Sequence, residues 1–397
     1  PPPVDPAYAD AVIGRWSWYD SRKAVAELGY RIRPLAEIVG RAVQEARRRN
    51  ARTHGLGGRR VAIADGPEAR PPLLITGVPG WLGNRFVDAF VNGLPDGVPL
   101  PRRRVRLLVE PRHLDLLDLP APFEIVPGDL LDRASLDRAL RGIGAVYHLA
   151  GAIHPPRTAA LHRINGEGTR GLIDACAAAG VRRVLMMSTD AVAGVGTRDR
   201  RIFDEATPDR PWGDYGVSKQ AGERALLEAT RAGRIDGTSL RGFWFFGDFA
   251  PPRQEGFLKM MGWRRQIVFG DGRNLRNVSL TCNLVRAFVM AETVPRTIGR
   301  WYWIGDARAD YTVDEIYRTL CDGAGRPYRP LRVPGAVCAL ARVVDRAMAR
   351  AGRLHPTIHG MGKFDRDITG TIDAARRDFG YAPVLSLAEW AARQGAR

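Results

Sequence analysis

Tyr215 and Lys219 stand four residues apart in Tyr-Gly-Val-Ser-Lys, so on a helix they share one face. A phenol beside an ammonium is a proton-transfer pair. Free tyrosine titrates near pKa ~10, so work as a base near neutrality requires a fall of roughly three units, or ~4 kcal/mol. A cation within ~4–6 Å supplies about one to three of those units, and the positive ring of an oxidised nicotinamide would supply the rest. Ser188-Thr189 closes an apolar run and offers a hydroxyl for the same substrate oxygen, Thr189 first and Ser188 as its neighbour. Upstream, Leu73 to Gly83 reads as a strand entering a turn of Gly77, Gly80, Trp81, Leu82 and Gly83. Such a turn sets backbone N–H groups against a pyrophosphate at the positive end of a helix.

The elements that must position these groups follow from periodicity. Leu73–Thr76, Val105–Val109, Phe123–Val126, Ala145–Leu149, Val184–Met187 and Thr238–Leu240 read as buried strands. Helical stretches alternate with them: Arg85–Asn92, Ser135–Arg141, Gly168–Ala179 and Tyr215–Ala232. The expectation is an α/β fold, a Rossmann-type doubly wound parallel sheet with a smaller C-terminal substrate domain. The boundaries expected are an extension over 1–55, a linker over 56–71, a dinucleotide domain over 72–247 and a mainly substrate-binding domain over 248–397. The extension echoes the far end of the chain. Tyr19-Asp20 to Gly-Tyr30 parallels Ile372-Asp373 to Gly-Tyr381, each followed by a proline and Leu-Ala-Glu.

Glu110 ends the second strand, where an acid accepts hydrogen bonds from a ribose diol and repels a 2′-phosphate. That favours NAD, while Arg103 and Arg112 nearby leave NADP open. Together, Gly77-x-x-Gly80-x-x-Gly83, Gly128-Asp129-Leu130, His148-Leu149-Ala150-Gly151, Asn165-x-x-Gly168-Thr169, Ser188-Thr189 and Tyr215-x-x-x-Lys219 resemble the extended short-chain dehydrogenase/reductase family, the NAD-dependent epimerase/dehydratase group. The resemblance runs from about Pro72 to the end of the chain, and residues 16–48 resemble that family's C-terminal tail. It implies that Asp129 meets the adenine amino group with Leu130 beside it. It implies too that Ala150 and Gly151 line the cofactor path, Asn165 braces the centre and Lys219 grips the nicotinamide ribose. A turn aspartate is the alternative for Asp129, and a helix cap for Asn165.

The reaction expected is interconversion of a secondary alcohol and a ketone, with Tyr215 as acid or base. In the family's sugar-nucleotide 4,6-dehydratases the hydroxyl strand continues Thr-Asp-Glu; here it reads Thr189-Asp190-Ala191, which lacks the base of elimination. Arg241-Gly-Phe-Trp-Phe-Phe-Gly247 reads as an apolar wall containing Trp244 and Phe245, suited to a lipid- or steroid-like alcohol as in 3β-hydroxysteroid dehydrogenase-like members, or else as ordinary core. Arg273 and Arg276 could meet an anionic substrate group. The alternatives are a nucleotide-sugar epimerase holding NAD tightly and a non-catalytic cofactor-binding subunit.

The net charge of +17 raises the question of an anionic partner, yet the basic residues are dispersed and no nucleic-acid fold motif accompanies them, so no nucleic acid is expected. The Arg-studded apolar helix near Leu331–Met348 suggests peripheral membrane contact, against a plain core-facing helix. A homodimer is a further expectation. Cys176, Cys282, Cys321 and Cys338 lack CxxC spacing and the histidines lack ligand spacing, so neither disulfide nor catalytic metal is expected. With no secretory start visible, the expected location is cytoplasmic.

Overall fold

The computed structural model describes residues 70–117 and 123–395; the N-terminal extension and most of the expected linker lie outside them. Seven strands form one parallel sheet: β1 (Leu73–Thr76), β2 (Val105–Val109), β3 (Glu124–Pro127), β4 (Ala145–His148), β5 (Arg183–Thr189), β6 (Asp236–Gly242) and, from the C-terminal part, β10 (Arg300–Ile304). Their order is β3-β2-β1-β4-β5-β6-β10, so the winding reverses between β1 and β4. Ligands of open α/β sheets bind at the carboxyl ends beside that reversal. Two small parallel pairs, β7 (Trp244–Phe246) with β9 (Val278–Leu280) and β8 (Gln266–Phe269) with β11 (Pro330–Val333), lie outside the main sheet.

Alternation along the strands explains the two packed faces. Leu73, Ile75 and Tyr147 point to one core, where Phe86 of α1 (Trp81–Asn92) meets Tyr147 at 5.4 Å between ring centres. Leu74 and Val146 point to the other, filled by Leu136 of α2 (Arg133–Leu140), Ile173 of α3 (Thr169–Ala178) and Leu226 of α4 (Gly213–Arg231). A strand buried on both faces must be apolar throughout, which is why β1 is so readable. β5 and β6 run further than their apolar runs suggest because Ser188 and Thr189 still pair in the ladder with Arg241 and Gly242.

The longer helices after these are α5 (Pro252–Met261), α6 (Thr281–Glu292), α7 (Val313–Gly323), α8 (Ala336–Arg350), α9 (Pro356–Met361), α10 (Asp373–Phe379) and α11 (Leu387–Gly395). α7 opens with a full capping box between Thr312 and Glu315. The C-terminal half of the echo is α10, closed by Gly380 at φ 68°; its N-terminal half lies outside the described residues. Outward on α8, Leu340 and Val343 are 63% and 60% exposed, while Cys338 and Ala341 face inward. All four cysteines are free and buried. Among the described residues no helix is long and apolar enough to cross a membrane.

Candidate active site

The glycine turn between β1 and α1 is held together by close backbone approach. Gly77 has φ 89°, and a β-carbon there would lie 2.6 Å from the Ala150 amide nitrogen. A β-carbon on Gly80 would lie 2.7 Å from the Gly77 carbonyl oxygen, and one on Gly83 would strike the same atom. Glycine at all three positions therefore follows from sterics. No side chain caps the first turn of α1, as a pyrophosphate site at this helix end requires. Trp81 turns its indole to donate to the Asp248 carbonyl at 2.8 Å, and Leu82 is buried in the core under the turn.

Glu110 follows β2, half-exposed and paired with Arg112. Asp129 is exposed; its carboxylate accepts from the Leu131 amide at 2.9 Å, while Leu130 is buried. The chain then turns at Ala150, whose amide donates to Thr76 Oγ1 at 3.2 Å, and reaches the exposed Gly151. Asn165 lies in a π-helical turn, His162–Gly168, that leads into α3. Its side chain accepts from the Ala152 amide at 2.8 Å and donates to Ser218 Oγ at 3.0 Å, joining the loop after β4 to the helix of Tyr215. A β-carbon on Gly151 would lie 3.0 Å from Asn165 Oδ1 and 3.8 Å from Lys219 Nζ, which brings three expected residues to one spot.

The proton-transfer pair sits on the first turns of α4. Lys219 is buried and its ammonium donates to the Met187 carbonyl at 2.7 Å; burial pushes it down to about 8. Tyr215 is half-buried, and here the structure differs from the expectation. Its phenol is pushed up to about 12, first by burial and then by the Asp190 carboxylate, with the Thr189 hydroxyl and Arg253 pulling the other way. Lys219 is directed at a carbonyl, so in the chain itself the phenol holds its proton. Thr189 also donates to Asp190 at 2.9 Å. Ser188, on the opposite face of β5, is buried beside Glu223, away from Tyr215. Buried His148 spans Thr76 Oγ1 and Thr169 Oγ1, 2.9 Å to each.

Of the expected aromatic wall, Phe243 and Phe246 are core residues, 4% and 0% exposed. Trp244 and Phe245 remain half-buried, Trp244 beside Phe257 and Phe364 and Phe245 edge-on to Trp81. Arg273 is exposed in its turn; Arg276, three residues on, is the buried one, donating to the Lys363 carbonyl. Periodicity gave no hint of Arg253, Lys363, His154 or His359, because they come from irregular or short segments far apart in the chain. Arg253 is marked by its charge on Tyr215 and Lys363 by that of Asp190, while His154 lies among Arg253, His359 and Lys363. Among the described residues no cluster of three metal-ligating side chains occurs.

A family model described as the NAD dependent epimerase/dehydratase family matches residues 73–305. An uncharacterized protein of Sinorhizobium fredii, y4nL, is 36% identical over 331 residues, covering 80% of this chain and 92% of that protein. A D-erythronate dehydrogenase of Cupriavidus necator is 34% identical over 179 residues, 43% of this chain and 53% of the enzyme. Among solved structures, DesIV, a dTDP-glucose 4,6-dehydratase from Streptomyces venezuelae with NAD and TYD bound, is 25% identical with a TM-score of 0.62, over 82% of this chain and 96% of that one.

Proposed function

The chain belongs to the NAD-dependent epimerase/dehydratase family, and from that premise we propose that it interconverts a secondary alcohol and a ketone with Tyr215 as the proton-transferring group. It is an NAD-dependent enzyme of the extended short-chain dehydrogenase type. The glycine turn, Asp129, Gly151 and Lys219 are the residues proposed to hold the dinucleotide, and the glycine geometry fits that task. When bound, the nicotinamide supplies the acceptor or donor of hydride. Thr189 orients the substrate oxygen, and Tyr215 Oη gives or takes its proton. A phenol at about 12 is a proton donor, which suits ketone reduction; oxidation needs the added positive charge of the oxidised cofactor.

The observation that carries this reading is the joint placement of Thr189, Tyr215 and Lys219 at the carboxyl edge of the sheet, beside a tight glycine turn that opens α1. A lipid- or steroid-like substrate draws support only from Trp244 and Phe245, since half of the aromatic run is core. Nucleotide-sugar epimerisation is the second reading; buried Arg276, whose Nε has no protein partner, is the group that would meet a sugar nucleotide. The test is Tyr215→Phe, which should lower turnover by about 10²–10⁴-fold while leaving NAD affinity within about twofold. Undiminished turnover overturns the proposal. Strong protection by dTDP- or UDP-sugars would favour the second reading.

A further inference from the structure

Cations crowd the approach to Tyr215. Arg253, on the first turn of α5, donates through Nη1 to His154 Nδ1 at 2.6 Å and perturbs the Tyr215 phenol. That contact fixes His154 as an acceptor, hence neutral, in line with its descent to about 3 under burial and the Arg253 charge. Lys363, just after α9, and buried Arg276 share the Asp190 carboxylate as a charge neighbour. His359 of α9 holds Asp345 of α8 through Nδ1 at 3.0 Å, which locks the ring. Its Nε2 is buried with no partner, although the residue is only 5% exposed. The His359 and His154 rings lie 6.3 Å apart. A β-carbon on Gly213, two residues before Tyr215, would come 3.2 Å from the His359 ring.

The contrast with the rest of the molecule is what needs explaining. Several other guanidinium groups of the interior have a carboxylate: Arg241 has Glu223 and Asp209, Arg103 has Glu292, and Arg342 has Asp365, while Arg183 is met by backbone carbonyls and threonine hydroxyls. Among the described residues Arg253, Arg276 and Lys363 form no such ion pair. Asp190, the charge neighbour that Arg276 and Lys363 share, already accepts from Thr189. Asp345 is engaged by His359, and Asp367 by Arg201. Arg276 is buried and Lys363 half-buried, so their charges are costly without a counter-charge; with the unpartnered His359 Nε2 beneath and exposed Arg253 at the rim, the site is suited to an anion.

Resting on the alcohol–ketone reading above, we infer that the substrate carries a carboxylate close to its reacting carbinol, received by Arg253 and Lys363 with His359 Nε2 as a third contact. Arg253 perturbs the same phenol that handles the carbinol proton, which places the anion next to the reaction and not at the far end of a long substrate. Phe364, next to Lys363 in the chain, packs edge-on to Trp244 with ring centres 6.1 Å apart. Short polyhydroxycarboxylates are the class that matches.

The test uses the NAD-loaded full chain with short polyhydroxycarboxylates, D-erythronate among them, against their uncharged polyols, erythritol among them. At least one carboxylate should raise the melting temperature and be oxidised with kcat/KM about 100-fold above its polyol. Arg253→Gln and His359→Gln should each raise KM about tenfold with kcat within about threefold, and Arg253→Lys should restore part of the loss. Failure of every carboxylate to stabilise the chain overturns the inference, as does equal preference in wild type and Arg253→Gln. Oxidation of neutral or lipid alcohols that depends on Tyr215 would sink the carboxylate while sparing the redox reading. Carboxylate protection with turnover indifferent to Tyr215→Phe would do the reverse.

Discussion

Glu223 and Arg241 form an ion pair whose side chains are 2% and 1% exposed, joining α4 to β6 beneath the residues that handle the proton. Ser239 donates to the same carboxylate at 2.7 Å, Asp209 holds the far side of the guanidinium, and the Trp301 ring lies 3.7 Å from it. The Arg241 charge holds the Glu223 carboxyl below its usual range despite burial. Since Glu223 lies one turn beyond Lys219, this pair sets how α4 sits on the sheet. Truncating one partner strands the other charge, so Glu223→Ala should cost about 3–5 kcal/mol in urea unfolding. A loss below about 1 kcal/mol would show that water reaches the pair.

His148 should make the protein acid-sensitive. Burial, helped by the Lys219 charge, drives it from 6.5 to about 3. The unfolded chain thus binds a proton between pH 6.5 and 3 that the native state refuses, and stability falls as pH falls through that window. At 1.36 kcal/mol per unit the full effect is on the order of 5 kcal/mol. Unfolding free energies at pH 7 and pH 4.5 should differ less in His148→Asn than in the parent. Parallel pH dependences would mean that His148 protonates in place.

Lys219 acts with the same sign in a higher window. Its folded value near 8 lies below the 10.5 of a free lysine, so stability should climb as pH rises from 8 to 10.5. The gain is on the order of 3 kcal/mol. Lys219→Met should abolish that climb and weaken NAD binding about tenfold or more, a stability gain at neutral pH set against lost function. If the variant keeps parental NAD affinity, the ribose role assigned to Lys219 fails.

What the sequence disclosed depended on whether a constraint was local. β1, with three apolar residues, Thr76 and the glycine turn behind it, is written in consecutive positions, because strand burial and turn sterics act over a few residues. Tyr215 and Lys219 were legible for the same reason, through helical spacing. The phenol's high pKa was not, since it comes from Asp190 and from burial by segments remote in the chain. Arg253, Lys363 and His359 come together only when α5, α8 and α9 pack over α4, and no short-range pattern records that. Phe243 and Phe246 misled for a related reason: an aromatic run looks alike whether it lines a pocket or fills a core against Trp303 and Trp390.

Cofactor choice can be settled at the end of β2. Of the two arginines that could hold a 2′-phosphate, Arg103 is committed elsewhere, donating to Glu292 at 2.8 Å and to the Pro71 carbonyl at 2.7 Å. Arg112 is exposed but paired with Glu110 itself. Both arrangements leave the Glu110 carboxylate to face the ribose diol and to repel added phosphate, so the chain should prefer NAD. Glu110→Ser removes the repulsion and releases Arg112 at once. The ratio of NADP to NAD dissociation constants, measured by titration, should then fall about tenfold or more, equivalent to ~1.4 kcal/mol. An unchanged ratio would place the ribose away from Glu110 and leave that carboxylate as a partner of Arg112 alone.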